Sequence, residues 1–177
     1  MQVSYWLQEL KSGLSRHQTF LGAYSVGSIA KKNSDEFSDI DLIVVAQERK
    51  LEIAVFQITR LVKKISGGLL YSRVKTWKRF KIAKIDLLVP GLVQVDILVC
   101  EPDSPVKIFP PFRSLLNSSK IPAGLFGTKS HGKNKAYEPL KYGKKDLPFD
   151  ILAALRAILR GQKRRSASIL KGLSERI

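Results

Sequence analysis

The chain is poor in the residues that build soft-metal and disulfide sites. Among 177 residues it has one cysteine, Cys100, and two histidines, His17 and His131. A lone cysteine closes no intramolecular disulfide and makes no thiolate zinc site. Neither histidine has a partner at ligand spacing, so an imidazole-held metal is not expected. Cys100 reads as a small buried side chain and Trp6 as part of the core. The cysteine usage suits a reducing, intracellular compartment, cytoplasmic or, in a eukaryote, nuclear. No apolar run approaches the ~20 residues of a membrane span, and the first residues carry no signal-peptide pattern. No membrane partner is expected. Acidic residues are scarce as well: 15 Asp and Glu stand against 31 Lys and Arg, a net charge of +16. Such an excess costs self-repulsion and suits a protein that meets a polyanion, nucleic acid first.

What is present is a globular composition, 44% hydrophobic, in a chain long enough for one domain with a small appendage. Residues 2–16 place Val3, Trp6, Leu7, Leu10 and Leu14 at helical spacing. A strand is predicted over 20–26 (FLGAYSV), then a GSIAKK turn, a polar NSDEF loop and a strand over 39–45 (DIDLIVV). Residues 50–66 form the clearest helix, with Leu51, Ala54, Val55, Ile58, Leu61, Val62 and Ile65 on one face and Gly67-Gly68 to stop it. The period then shifts toward two, giving strands through 69–76, 79–89 and 92–99. The last two read as a tight antiparallel hairpin turning on Pro90-Gly91. Residues 103–148 are rich in Pro, Gly, Ser and Lys and read as loop with short elements. Helices are predicted over 149–160, with Asp146 or Asp150 near the start, and beyond Gly161. The expected organisation is a core of residues 1–102 and a basic, loop-rich and helical segment of 103–177 packed on it.

The stretch GSIAKKNSDEFSDID (27–41) holds the chemistry. Side chains at i and i+2 of a strand share a face, so Asp39 and Asp41 are placed side by side. Two carboxylates that close repel unless a cation lies between them. Oxygen donors without His or Cys suit Mg²⁺ or Mn²⁺, which take one or two carboxylates together with substrate phosphates. The Gly27-Ser28 turn offers backbone N–H groups and a hydroxyl to a phosphate, with Lys31 and Lys32 beside it and Ser38 before the carboxylates. A two-metal site needs a third carboxylate. Asp86 (KIDLLV) and Asp96 (VQVDILV) are the candidates. A hairpin turning on Pro90-Gly91 pairs residues that sum to 181, which sends Asp86 and Asp96 to opposite faces, so only one joins the site.

These residues resemble the nucleotidyltransferase fold of the DNA polymerase beta superfamily: Gly-Ser, a short spacer, Asp-x-Asp between apolar residues, and a later lone Asp on a neighbouring strand. Gly27-Ser28, Asp39-Ile40-Asp41 and Asp96 fill the pattern, which covers roughly residues 20–100. The resemblance implies an α/β (α+β) fold, a mixed and mainly antiparallel sheet with helices packed on one side, plus a small C-terminal helical segment. It implies transfer of a nucleoside monophosphate from a nucleoside triphosphate to a hydroxyl, with two Mg²⁺ or Mn²⁺ ions on Asp39, Asp41 and Asp96 and nucleotide contacts from Gly27, Ser28, Lys31 and Ser38. It selects Asp96 over Asp86, which then faces solvent or a loop. Two positions depart from the pattern: many relatives have a glycine where Lys32 stands, and template-directed repair polymerases usually carry an arginine where Ala30 stands.

The acceptor expected from the charge is the 3′ end of a nucleic acid, RNA in preference to DNA. The stretch SRVKTWKRFKIAK (72–84) interleaves Arg73, Lys75, Lys78, Arg79, Lys81 and Lys84 with Trp77 and Phe80, which suits single-stranded nucleic acid. It equally suits an edge strand protected by lysines. The tail carries Lys163, Arg164 and Arg165, either a backbone clamp or an exposed amphipathic helix. Other readings are a nucleotidylyltransferase acting on a small molecule or protein, antibiotic-modifying or antitoxin-like, and a non-catalytic RNA-binding relative.

Overall fold

The structure, a computed structural model, describes residues 3–31, 38–91, 93–128, 147–159 and 161–174. Its contacts divide the chain into two units, Met1–Tyr137 and Glu138–Ile177. The predicted NSDEF loop, Lys32, Asp146 and His131 lie outside the described residues.

The first unit is a six-stranded sheet with two long helices on one face. In chain order its elements are α1 (Val3–Ser15), β1 (Phe20–Ser25), the single turn α2 (Gly27–Ala30), β2 (Ile40–Ala46), α3 (Leu51–Ser66), β3 (Tyr71–Trp77), β4 (Ile82–Val89), β5 (Val93–Cys100) and β6 (Arg113–Asn117). The strand order is β3-β4-β5-β2-β1-β6. Only β2 and β5 run parallel; every other neighbouring pair is antiparallel. The architecture is the expected mixed α+β one.

Period explains which face each residue meets. Trp6, Leu7, Leu10 and Leu14 of α1 and Leu51, Ala54, Ile58 and Val62 of α3 are buried in one core cluster. Against them stand the even-numbered Ile40, Leu42, Val44 and Ala46 of β2 and the odd-numbered Val95, Ile97 and Val99 of β5. Each Val, Leu or Ile among them contributes about 1.5–3 kcal/mol when fully withdrawn from water. Lys50 supplies no side-chain cap to α3. The Glu101 carboxylate accepts a hydrogen bond from the Leu51 N–H at 3.3 Å instead, which also sets a negative charge at the helix's positive end. Gly67, at φ +74°, ends the helix as a left-handed cap.

The other sheet face is divided. Ile43 and Val45 of β2, Leu98 and Cys100 of β5 and Ile82 of β4 are covered by Val106, Ile108 and Leu125. Tyr24 packs edge-on to Phe112 and Phe126 at 5.5 Å and donates a hydrogen bond to Asn117 Oδ1 at 2.7 Å. The covering segment and β6 come from beyond residue 102, and both group with the first unit. The candidate site lies elsewhere on this face.

One register differs from the sequence reading. Val89 pairs with Val93, so three positions, 90–92, separate the strands rather than two. Gly91, at φ +81°, fits such a loop. The one-residue difference places Asp86 directly opposite Asp96. The two carboxylates share a face, and Asp86 is buried rather than facing solvent or a loop.

The second unit contains α4 (Leu147–Leu159) and α5 (Lys163–Ser174), joined through Gly161 at φ +67°. Phe149, Leu152, Ala154 and Ala157 of α4 and Leu173 of α5 are buried, whereas Ile151, Leu155, Ile158 and Leu159 are exposed.

Candidate active site

Four strands contribute to one row of side chains. Asp41 on β2 pairs with Asp96 on β5, Asp96 with Asp86 on β4, and Asp86 with Arg73 on β3. Directly paired residues point to the same face, so three carboxylates and a guanidinium stand in line across the sheet. Neighbouring strands are about 4.8 Å apart. Lys84, two residues before Asp86 on the same strand, joins the row diagonally.

The corner beside the row begins where β1 ends. Val26 is extended and its N–H donates to the Asp41 carbonyl at 3.0 Å. Gly27 then takes φ +68°, and a Cβ there would overlap Asp41 Oδ2. Glycine is thus required twice, by the backbone angle and by the carboxylate against it. Gly22, the other glycine before a strand end, is instead a buried position inside β1. Ser28 lies half-buried on α2, and Lys31 is exposed immediately after it.

The three carboxylates of the row have different partners. Asp86 Oδ2 accepts hydrogen bonds from Arg73, from Nε at 2.9 Å and from Nη2. Its Oδ1 has Lys84 Nζ at 2.8 Å as an ion pair. Asp96 accepts from Gln94 Nε2 at both oxygens, at 3.0 and 3.1 Å. Neither Asp41 nor Asp96 forms an ion pair among the described residues. The electrostatics follow. Burial and the neighbouring Asp96 charge push the Asp41 carboxyl up from 3.8 to about 6, against the pull of Lys84. Burial likewise raises Asp96, and the Asp86 charge adds to this, while Gln94, Lys84 and Arg73 oppose it. For Lys84, burial works against the charge, but Asp86 and Asp96 outweigh it and the ammonium is held above its ordinary value.

The structure therefore brings Asp41 and Asp96 together beside Gly27. Asp39 stands half-buried immediately before β2, and Ser38 is buried. No group of three or more His, Cys, Asp or Glu side chains able to hold a metal ion occurs among the described residues. The pair itself fits a hard divalent cation: two adjacent oxygen donors, part-buried and mutually repelling. Mg²⁺ commonly uses one or two carboxylates and completes its shell with phosphate oxygens and water.

Several of the basic residues expected at a nucleic-acid surface have internal partners. Arg73 is committed to Asp86. Lys81 pairs with Asp103, and Lys78 meets Glu52 at 3.0 Å with both side chains exposed. Lys75 Nζ lies over the Trp77 ring at 4.9 Å, and the Arg79 guanidinium is 5.8 Å from the Phe80 ring. Lys163, Arg164 and Arg165 are exposed on α5. Sequence reasoning missed the roles of Lys84, Asp86 and Gln94. The signal for Gln94 was its i, i+2 spacing to Asp96.

No family model matches the chain, and no curated protein matches it. Among solved structures it is similar to terminal uridylyl transferase 4 from Trypanosoma brucei with bound UTP and UMP, at 13% identity and a TM-score of 0.33. The alignment covers 54% of this chain and 33% of that one. The same enzyme with bound GTP aligns at 14% identity and a TM-score of 0.32, with the same coverage. The chain thus spans about a third of the length of these neighbours. Among the described residues no helix is long and apolar enough to cross a membrane.

Proposed function

We propose that the chain is a divalent-metal-dependent nucleotidyltransferase that moves a nucleoside monophosphate from a nucleoside triphosphate to a hydroxyl. The observation that carries this reading is the in-register pair of part-buried carboxylates, Asp41 and Asp96, with Gly27 held against Asp41. In the reaction an acceptor oxygen attacks the α-phosphorus, the bond to the β-phosphate oxygen breaks, and pyrophosphate leaves as the hydroxyl proton passes to solvent.

Asp41 and Asp96 would hold Mg²⁺ or Mn²⁺, with Asp39 at the strand entry as the third donor of this reading. A divalent cation bound there would offset the charge of the triphosphate and favour ionisation of the acceptor hydroxyl. In this reading Gly27, Ser28, Lys31 and Ser38 contact the triphosphate. Gln94 fixes the rotamer of Asp96 through two hydrogen bonds from one amide nitrogen. The net charge of +16 favours a nucleic-acid acceptor, RNA in the first instance.

The test uses labelled ATP, CTP, GTP and UTP, Mg²⁺ and a mixed pool of RNA and DNA oligonucleotides. Laddered extension of RNA is the expected result. Label appearing only on protein or on small molecules would move the acceptor to another class, and no transfer at all would contradict the reading.

A further inference from the structure

The charges of the row are unevenly matched. Arg73 already answers the single charge of Asp86, with two donors on Oδ2. Lys84 adds a second cation to the same carboxylate, at the other oxygen, through a contact that lacks hydrogen-bond geometry. The carboxylates without an ion-pair partner are Asp96 and Asp41. Lys84 is the diagonal neighbour of Asp96, because Asp96 pairs with Asp86 and Lys84 lies two residues away. Diagonal partners are about 7–8 Å apart at Cα, within the span of a lysine side chain. The Lys84 side chain retains 30% of its exposure, against 3% for Asp86, so its head can swing while Asp86 stays fixed. Among Asp41, Asp96, Asp86, Arg73 and Lys84, three negative charges face two positive ones. The deficit lies at the end where the proposed metal binds.

We propose that Lys84 is the resident counter-cation of the Asp41–Asp96 pair. In the metal-free protein its ammonium, berthed on Asp86, offsets the charge of that pair, and it competes with a divalent cation for it. When the cation binds, the Lys84 head swings off Asp86 toward solvent, while Asp86 stays fixed on Arg73. The consequence is a metal affinity set below what the two carboxylates alone would give. The inference rests on the reading of Asp41 and Asp96 as metal donors.

The experiment measures Mn²⁺ binding to the full chain by electron paramagnetic resonance, without nucleotide, for the wild type, Lys84→Met and Lys84→Arg. Removing one positive charge beside a divalent-cation site raises affinity by about tenfold at low salt. Lys84→Met is expected to bind Mn²⁺ about tenfold more tightly, and Lys84→Arg within about twofold of wild type. Equal or weaker binding by Lys84→Met overturns the proposal and makes Lys84 a structural partner of Asp86. If Lys84→Met does not fold, the wild-type side-chain ammonium signal of Lys84, assigned by its loss in Lys84→Arg, is followed as Mg²⁺ is added. Movement of that signal with the metal supports the proposal, and a stationary signal while the metal binds overturns it. Absence of any Mn²⁺ binding by the wild type overturns the metal reading itself, and the Lys84 inference with it.

Discussion

Asp86 lies directly opposite Asp96 across the β4–β5 pair, yet the two carboxylates have opposite electrostatic situations. Asp86 is buried with a guanidinium and an ammonium on it. Asp96 and its other neighbour, Asp41, are part-buried with no ion pair. Substitution at the two ends of the carboxylate row, Asp86 and Asp41, is therefore expected to change stability in opposite directions. Asp86→Asn leaves Arg73 and Lys84 without their charge partner, and breaking a buried pair costs about 3–5 kcal/mol. Asp41→Asn removes a repelled carboxylate and should stabilise the metal-free protein by about 1–3 kcal/mol. Urea melts at pH 7.5 in a chelator check both signs.

The stability difference between Asp41→Asn and wild type should also depend on pH. Asp41 has its folded value raised from 3.8 to about 6. Between those values the folded protein holds a proton on Asp41 that the unfolded chain has lost. The contribution of this group is thus fully present below about 3.8 and is lost as pH rises through about 6. Asp41→Asn abolishes that dependence. Its advantage over wild type should be near zero at pH 4 and grow to its full size by pH 7. A difference that stays constant across the range would remove the assigned cause. Asp96, raised in the same direction, is expected to behave alike.

Gly27→Ala meets two obstacles at once, a φ of +68° and overlap with Asp41 Oδ2. Placing a side chain in the left-handed region costs about 1–2 kcal/mol, and the carboxylate must also move. Thermal melts should show that loss, and Mn²⁺ affinity should fall together with stability. Unchanged metal binding in a folded Gly27→Ala protein would show that the corner does not set the position of Asp41.

Replacing Lys163, Arg164 and Arg165 by Gln tests whether the exposed face of α5 meets RNA. Each lost phosphate contact lowers the slope of log affinity against log salt by about 1. Filter binding over a salt series should show a shallower slope and weaker binding with the fold intact. Arg73→Gln is expected to act differently, through stability, because its guanidinium is committed to Asp86.

Most of the scaffold was legible because periodicity was strong. The apolar stripe of α3 predicted which of its side chains enter the core, and Gly67 marked the helix end. The Gly27 corner and Asp41 were legible from the spacing between a glycine turn and a strand carboxylate. The Asp86 error has a simple origin. One extra loop residue after Val89 shifts the hairpin register by one, and a one-residue shift moves every side chain to the other face. The Arg73 partnership with Asp86 is set by the β3–β4 register, which no turn signal specified. β6 was illegible because its five residues lie in a proline-rich stretch and form a strand only by pairing with β1. Glu101 as the cap of α3 depends on a contact fifty residues away in sequence, which no local pattern encodes.

The most direct measurement is nucleotide transfer to an RNA 3′ end, with Mg²⁺ present, by wild type, Asp41→Asn and Asp96→Asn, each confirmed folded by its melting curve. Wild type should extend the RNA, while both variants lose at least ~1,000-fold in rate even though Asp41→Asn melts higher. Transfer by either variant at the wild-type rate would contradict the assignment of the Asp41–Asp96 pair as the catalytic centre.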